Sequence, residues 1–173
     1  MPFGRLHPPD SVRSAPLTTT EWLLMFHITA AFLLVGGAVA AGILNTLAIT
    51  SVRPSDSALL LRLVRTALPL MYIGALGTLV FGLVLWHDRS YSLGAAWLWL
   101  SLVLWVLANA LGGIGGRYQG RARKLAEQLA AKDDAPSDEL RALLRDRRGN
   151  AYSYAAGLAL LAILVLMIWK PGS

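Results

Sequence analysis

The chain of 173 residues contains no cysteine. That absence removes disulfides, thiolate metal sites and thiol redox chemistry together, and with them a quinone-linked disulfide-forming enzyme. Charge is nearly as scarce. Only 15% of residues are charged, where a soluble domain carries about a quarter. No charged side chain occurs between Trp22 and Ser51, and no Asp or Glu falls within any long apolar run. Missing intramembrane acids argue against a carboxylate-coupled proton antiporter and against an intramembrane aspartyl protease. There is no Gly-rich phosphate loop and no Ser/His/Asp set, so no catalytic residue is assigned and the balance is against an enzyme. The formal charge of +6 does not indicate nucleic acid, because aromatic residues do not interleave with the basic clusters as a binding groove requires.

What is present is apolar length. Mean hydropathy is +0.53, and four runs reach the roughly 20 residues that cross a bilayer. They cover about 22–50, 67–86, 95–116 and 151–169. Backbone groups in lipid must be satisfied within the chain, and period-2 barrel strands are absent, so the runs are helices. The predicted fold is all-α: a polytopic membrane protein with an antiparallel four-helix transmembrane bundle. Residues 1–20 read as a flexible polar N-terminal tail, too polar for a signal peptide. Residues 21–173 form the four-span domain. Trp22, Trp86, Trp97, Trp99 and Trp169 lie near span ends, as an interfacial aromatic belt requires.

Orientation follows from the basic residues. The first and third loops together carry twelve Lys and Arg, against four on the opposite side (Arg5, Arg13, Arg89 and Lys170). The positive-inside rule therefore places both termini outside and the loop 117–150 in the cytoplasm, as a multi-pass protein of the bacterial inner membrane. Within that loop Tyr118, Ala122, Leu125 and Leu129 recur at helical spacing, so the third span continues outward as an amphipathic helix. "DDAPSDEL" turns the chain, with Ser137 as N-cap, and "DELRALLRDRR" returns as a short helix. The result is a solvated cytoplasmic helical hairpin, or a surface for anionic lipids or a membrane-protein partner. Ahead of the second span, Arg62 and Arg65 share a face; they snorkel to phosphates or pair with acids of the third loop. Pro69 is expected to kink that helix.

Lipid supplies no hydrophobic drive between spans, so small residues must let helices approach. Such stripes are Gly37 with Ala41, then Gly74, Thr78 and Gly82, then Ala108, Gly112 and Gly116, then Ala155, Ala159 and Ala162. The third, the most Gly-rich, is alternatively a homo-oligomer contact. Asn45 and Asn109 read as interhelical hydrogen-bonding residues.

One ionisable group interrupts the first span, His27. Asn45 lies five helical turns away on the same face, so His27 heads the small-residue stripe and points into the bundle. Three readings stay open. The first is a neutral packing imidazole. The second is a haem b ligand, with His87 of "LWHDRSYS" as the second axial position. The third is a copper site drawing on Met25 and Met167, whose soft thioethers suit copper(I).

His27 is followed by Gly36 and Gly37, then by "GALGTLVFGLVLW", "WVLANALGGIGGR" and "ALLAILVLMIWKPG". In these the chain resembles the uncharacterised bacterial "predicted integral membrane protein" family (domain of unknown function 2269), over about Trp22 to Gly172. That resemblance implies an inner-membrane four-helix protein and no known reaction. "FHITAAFLLVGG" is also similar to the first span of the CopD copper-resistance proteins and, more loosely, of the HemJ-type protoporphyrinogen oxidases. This second likeness implies His27 as a candidate ligand. CopD-like motifs often place Trp before the glycine pair, where this chain has Leu34 and Val35. The third-span lysine of a HemJ-type enzyme has no counterpart. The readings that follow are a small non-enzymatic scaffold or accessory subunit and, alternatively, a haem-binding redox enzyme or copper-handling protein using His27.

Overall fold

A computed structural model describes residues 17–88 and 95–170. The expected tail lies, through residue 16, outside the described residues, as does Arg89. Five helices follow in order: α1 Thr19–Thr50, α2 Pro54–Asp88, α3 Ala96–Lys132, α4 Asp138–Leu144 and α5 Arg147–Trp169. Four of them are long and apolar enough to cross a membrane. The fold is an all-α polytopic bundle in which α1 packs along α2 and α3 along α5. The two hairpins meet chiefly through α2 and α3, and α1 touches α5 at few points.

Helix length exceeds bilayer thickness. α1, α2 and α3 have 32, 35 and 37 residues, or about 48, 52 and 55 Å at 1.5 Å per residue. The hydrocarbon core is about 30 Å. Apolar runs marked only the lipid-facing part of each helix, whereas α2 and α3 continue as charged, amphipathic segments. The surplus gathers at the end remote from the chain termini. There Ala48, Ala58, Leu61, Ala122, Ala126, Leu140 and Leu144 form a buried cluster drawn from α1, α2, α3 and α4. We call this end the headpiece. The hairpin expected to be solvated is therefore docked, because Leu140 and Leu144 of α4 close the cluster.

Within the spans the seams follow a seven-residue repeat. On α1 the partners of α2 are His27, Ala30, Leu34, Gly37 and Ala48. A period of 3.5 keeps one face towards a neighbouring helix, as in a coiled coil. Gly74 makes the closest approach to a neighbouring backbone. A Cβ there would lie 2.6 Å from the Leu34 nitrogen and 2.8 Å from the Ala30 carbonyl oxygen. On α3, Ser101, Ala108, Gly115 and Ala122 are buried at intervals of seven. A Cβ on Gly115 would lie 2.5 Å from Ser153 Oγ on α5. The four-residue spacing pointed to Gly112 and Gly116, and the structure corrects this. Gly112 is exposed, with Ala156 Cβ at 3.8 Å as its nearest partner, and Gly116 faces open space. Trp97 also departs from the expected belt: it is buried, with Lys170 Nζ 5.8 Å from its ring centre. α2 runs through Pro69 as one helix.

Helix ends are held by polar contacts. Thr18 and Glu21 form a capping box on α1, Ser137 caps α4 and Asp146 caps α5. α2 is capped from a distance. Pro54, at its first position, needs no hydrogen bond, and the next donor, the Ser55 amide, reaches Asp134 Oδ1 at 2.8 Å. Ser55 Oγ donates to Asp134 Oδ2 at 2.7 Å. Asp134 itself ends α3 in a left-handed conformation, φ 51°, which Asp tolerates better than most residues. Its carboxyl is held below the usual carboxylate range by the Ser55 hydroxyl first, then by the Ser55 amide, with a smaller contribution from Arg53.

Gly74→Leu should destabilise the protein in detergent by at least about 3 kcal/mol through backbone-level overpacking. Gly36→Leu, on an open face, should stay within about 0.5 kcal/mol of the parent. Equal melting of Gly74→Leu and the parent would place the seam elsewhere.

Asp134→Gly keeps the left-handed turn and removes only the carboxylate. Amide exchange at Ser55 should accelerate in this variant. The parent should match it only as pH falls through the depressed pKa of Asp134, because the clasp needs the ionised form and is complete above the usual carboxylate range. An unchanged Ser55 exchange rate in the variant would remove Asp134 as the cap of α2.

Candidate functional site

His27 is half-buried on the α1–α2 seam. α2 carries Gly82 at the position its ring requires: a Cβ there would lie 3.1 Å from His27 Cε1 and 3.4 Å from Nδ1. Thr78 lies one turn away on the same helix. Nδ1 is buried and has no hydrogen-bond partner among the described residues. Beside this contact Trp22, Phe26 and Phe81 stack in series at 6.0 and 5.3 Å. At the rim Thr20 Oγ1 donates to Asp88 Oδ2 at 2.6 Å.

The other proposed ligands do not converge on this ring. Gly82 marks the level of His27 on α2, and His87 lies five residues further along, about 7.5 Å by helical rise. His87 is exposed. Met25 is two residues from His27, so about 200° around α1, and it too is exposed. Met167 belongs to α5, which packs with α3 rather than on the α1–α2 seam. The Cε1 and Nδ1 side of the ring faces Gly82 of α2. Thr78, Gly74 and Gly37 are all on this seam, and Ala41 is half-buried.

Asn45 does not share the His27 contact. Eighteen residues are five turns of a straight helix, but the seam advances by sevens, and a straight helix drifts about 20° per heptad against it. Asn45 has thus rotated away from α2 towards α5, where its Nδ2 donates to Asn150 Oδ1 at 3.4 Å. Asn150 Nδ2 donates in turn to the Leu144 carbonyl at 3.2 Å. On α3, Gln119 Nε2 donates to Ser153 Oγ at 3.4 Å, and Ser153 Oγ to the Gly149 carbonyl at 3.1 Å. A cleft lined by Asn45, Gln119, Asn150 and Asp146 lies among them, with room for little more than one water molecule. Asn109 is not interhelical; its Nδ2 donates to the Trp105 carbonyl of its own helix at 2.8 Å.

The headpiece holds the charged contacts. Glu127 Oε1 accepts from Arg123 Nη1 at 2.7 Å and pairs with Arg62 Nη2 at 3.6 Å, joining α3 to α2. Beside them the first turn of α5 docks on α3, where a Cβ on Gly149 would lie 2.7 Å from Tyr118 Cβ. Sequence reasoning missed Gly115, Gly149, Asn150 and the Asp134–Ser55 clasp. The seven-residue interval of Ala108, Gly115 and Ala122 was the available signal for the first; the clasp leaves none, because its partners are 79 residues apart.

A family model described as "Predicted integral membrane protein (DUF2269)" matches residues 21–171. No curated protein and no solved structure matches the chain.

If the ring of His27 is a packing group, its cost to Gly82 substitutions is specific. Gly82→Ala should be less favourable in the parent than in a His27→Ala background, a coupling of about 0.5–3 kcal/mol. Additive effects in this double-mutant cycle would show that the ring and Gly82 are not in contact.

Proposed function

The chain belongs to the DUF2269 family of predicted integral membrane proteins, and on that premise we propose that it is a non-enzymatic scaffold or accessory subunit of the bacterial inner membrane. One observation carries this reading: α1 to α4 converge beyond the lipid-crossing length in a headpiece with its own buried core, and the first turn of α5 docks beside it. Such an arrangement provides a rigid platform on a membrane anchor. Its surface is built by parts of every helix, so a partner bound there engages the whole fold rather than a loop. The polar groups of the spans serve helix contacts. His27 fills the gap at Gly82, and Asn45 ties α1 to α5.

Orientation completes the proposal. Twelve of the sixteen Lys and Arg belong to the headpiece side, so the headpiece faces the cytoplasm and both termini face outward.

The cysteine-free chain makes the test direct. Ala131→Cys in the headpiece should resist a membrane-impermeant maleimide in intact cells and react after permeabilisation; labelling of intact cells would reverse the topology. Protein purified from haem- and copper-replete cells should show neither a Soret band nor stoichiometric copper. A Soret band that His27→Ala abolishes would replace the scaffold reading with a haem protein.

A further inference from the structure

The headpiece keeps its acids away from the spans, alongside Arg53, Lys132, Arg141 and Arg145. Asp56, Asp133, Asp134, Asp138 and Glu139 lie at its far end, in the first turns of α2 and α4 and just past the last turn of α3. Glu127 is occupied by Arg62 and Arg123, and Asp146 accepts from the Gly149 amide at 2.9 Å. Nearer the apolar spans the exposed side chains are basic: Arg117, Arg121 and Lys124 on α3, and Arg147 and Arg148 on α5. Among the described residues none of these five forms an ion pair.

They form a band at one level around α3 and α5. Gly115 and Tyr118 both meet Gly149, which puts the first turn of α5 beside α3 at the level of Arg117 and Arg121. Those two are four residues apart and share a face, where like charges repel. Arg147 and Arg148 occupy the first turn of α5, which contains no acid. That is the end of a helix where the macrodipole disfavours cations. The N-cap carboxylate of Asp146 offsets part of this for Arg147 and Arg148, and an external anion would offset the rest. Height identifies the anion. The band begins one residue beyond the apolar run ending at Gly116 and just before the run starting at Ala151. Headgroups extend about 5–8 Å beyond each side of the hydrocarbon core. Tyr154, exposed two turns into α5, and Tyr118, stacked under the Arg121 guanidinium at 5.8 Å, are amphipathic rings of the kind found at that depth.

We propose that Arg117, Arg121, Lys124, Arg147 and Arg148 form a binding site for the phosphate groups of anionic phospholipids in the adjoining leaflet. The site depends on the membrane-crossing fold and not on the scaffold reading, so the spectral test above can fail without affecting it.

The test uses full-length protein in mixed micelles with equal phosphatidylglycerol and phosphatidylcholine, with retained lipid counted by native mass spectrometry. The parent should retain phosphatidylglycerol in clear excess. Arg117→Gln with Arg147→Gln should reduce that excess by about fivefold per arginine, the factor equivalent to about 1 kcal/mol per basic residue at a charged surface. Lys132→Gln with Arg141→Gln removes the same charge from the far end and should retain the excess. Inorganic phosphate at millimolar concentration should not displace the lipid. Equal retention of the two lipids by the parent would overturn the proposal, whether or not any variant folds. Equal losses in both variant pairs would reduce it to a net-charge effect and overturn the site, and displacement by free phosphate would assign the site to a soluble anion instead.

Discussion

The solvent around each helix changes along its length, and the packing changes with it. Inside the bilayer an apolar side chain gains nothing by leaving lipid for protein, so contact depends on how closely backbones approach. That is the regime of Gly74 against Ala30 and Leu34, and of Gly115 against Ser153. Beyond the bilayer the same helices stand in water, and burial of apolar area is again favourable. There Leu61, Leu140 and Leu144 build a conventional core around Ala48, Ala122 and Ala126. Glycine seams below and leucine contacts above are two answers to one problem, set by which liquid is displaced.

This division explains why the two hairpins are joined unevenly. Each of the pairs α1–α2 and α3–α5 has a long small-residue seam. Contact between α1 and α5 is sparse by comparison, and Asn45 with Asn150 supplies it near the headpiece. The headpiece therefore does much of the joining, through its core, the Glu127 pair with Arg62 and Arg123, and the Asp134–Ser55 clasp. His27 belongs to the first seam. An imidazole is accommodated among small residues because α2 offers a glycine at the same level.

Apolar runs made the four spans legible, since lipid imposes a minimum length and forbids unsatisfied backbone. The outward continuation of α3 was legible from Tyr118, Ala122, Leu125 and Leu129, and Ser137 was legible as a cap. The break between α4 and α5 at Arg145 and Asp146 was not, because "DELRALLRDRR" reads as one helix and hydropathy stops reporting where a helix enters water. Choosing among small residues also failed locally: Gly112 and Gly116 satisfy a four-residue spacing, but a supercoiled pair selects by sevens, and that favours Gly115. His27 was placed on an inward face correctly, and its companion Asn45 was not, since the two part company through accumulated drift along the helix. Long-range pairs such as Asp134 with Ser55 carry no local pattern at all.

The clasp also orders events during synthesis. The first turn of α2 takes its capping carboxylate from a residue 79 positions downstream. When the α1–α2 hairpin first enters the membrane, that carboxylate has not yet been made, and the Ser55 amide is left to water. α3 must be threaded across and its extension completed before the start of α2 is sealed, and α4 must follow before the core closes. The headpiece core can thus close only after the third span and α4 have been made, with the fourth span still to follow. A chain arrested after two spans would display Leu61 and Ala58 to the aqueous phase, a surface that quality-control proteases can recognise as unfinished.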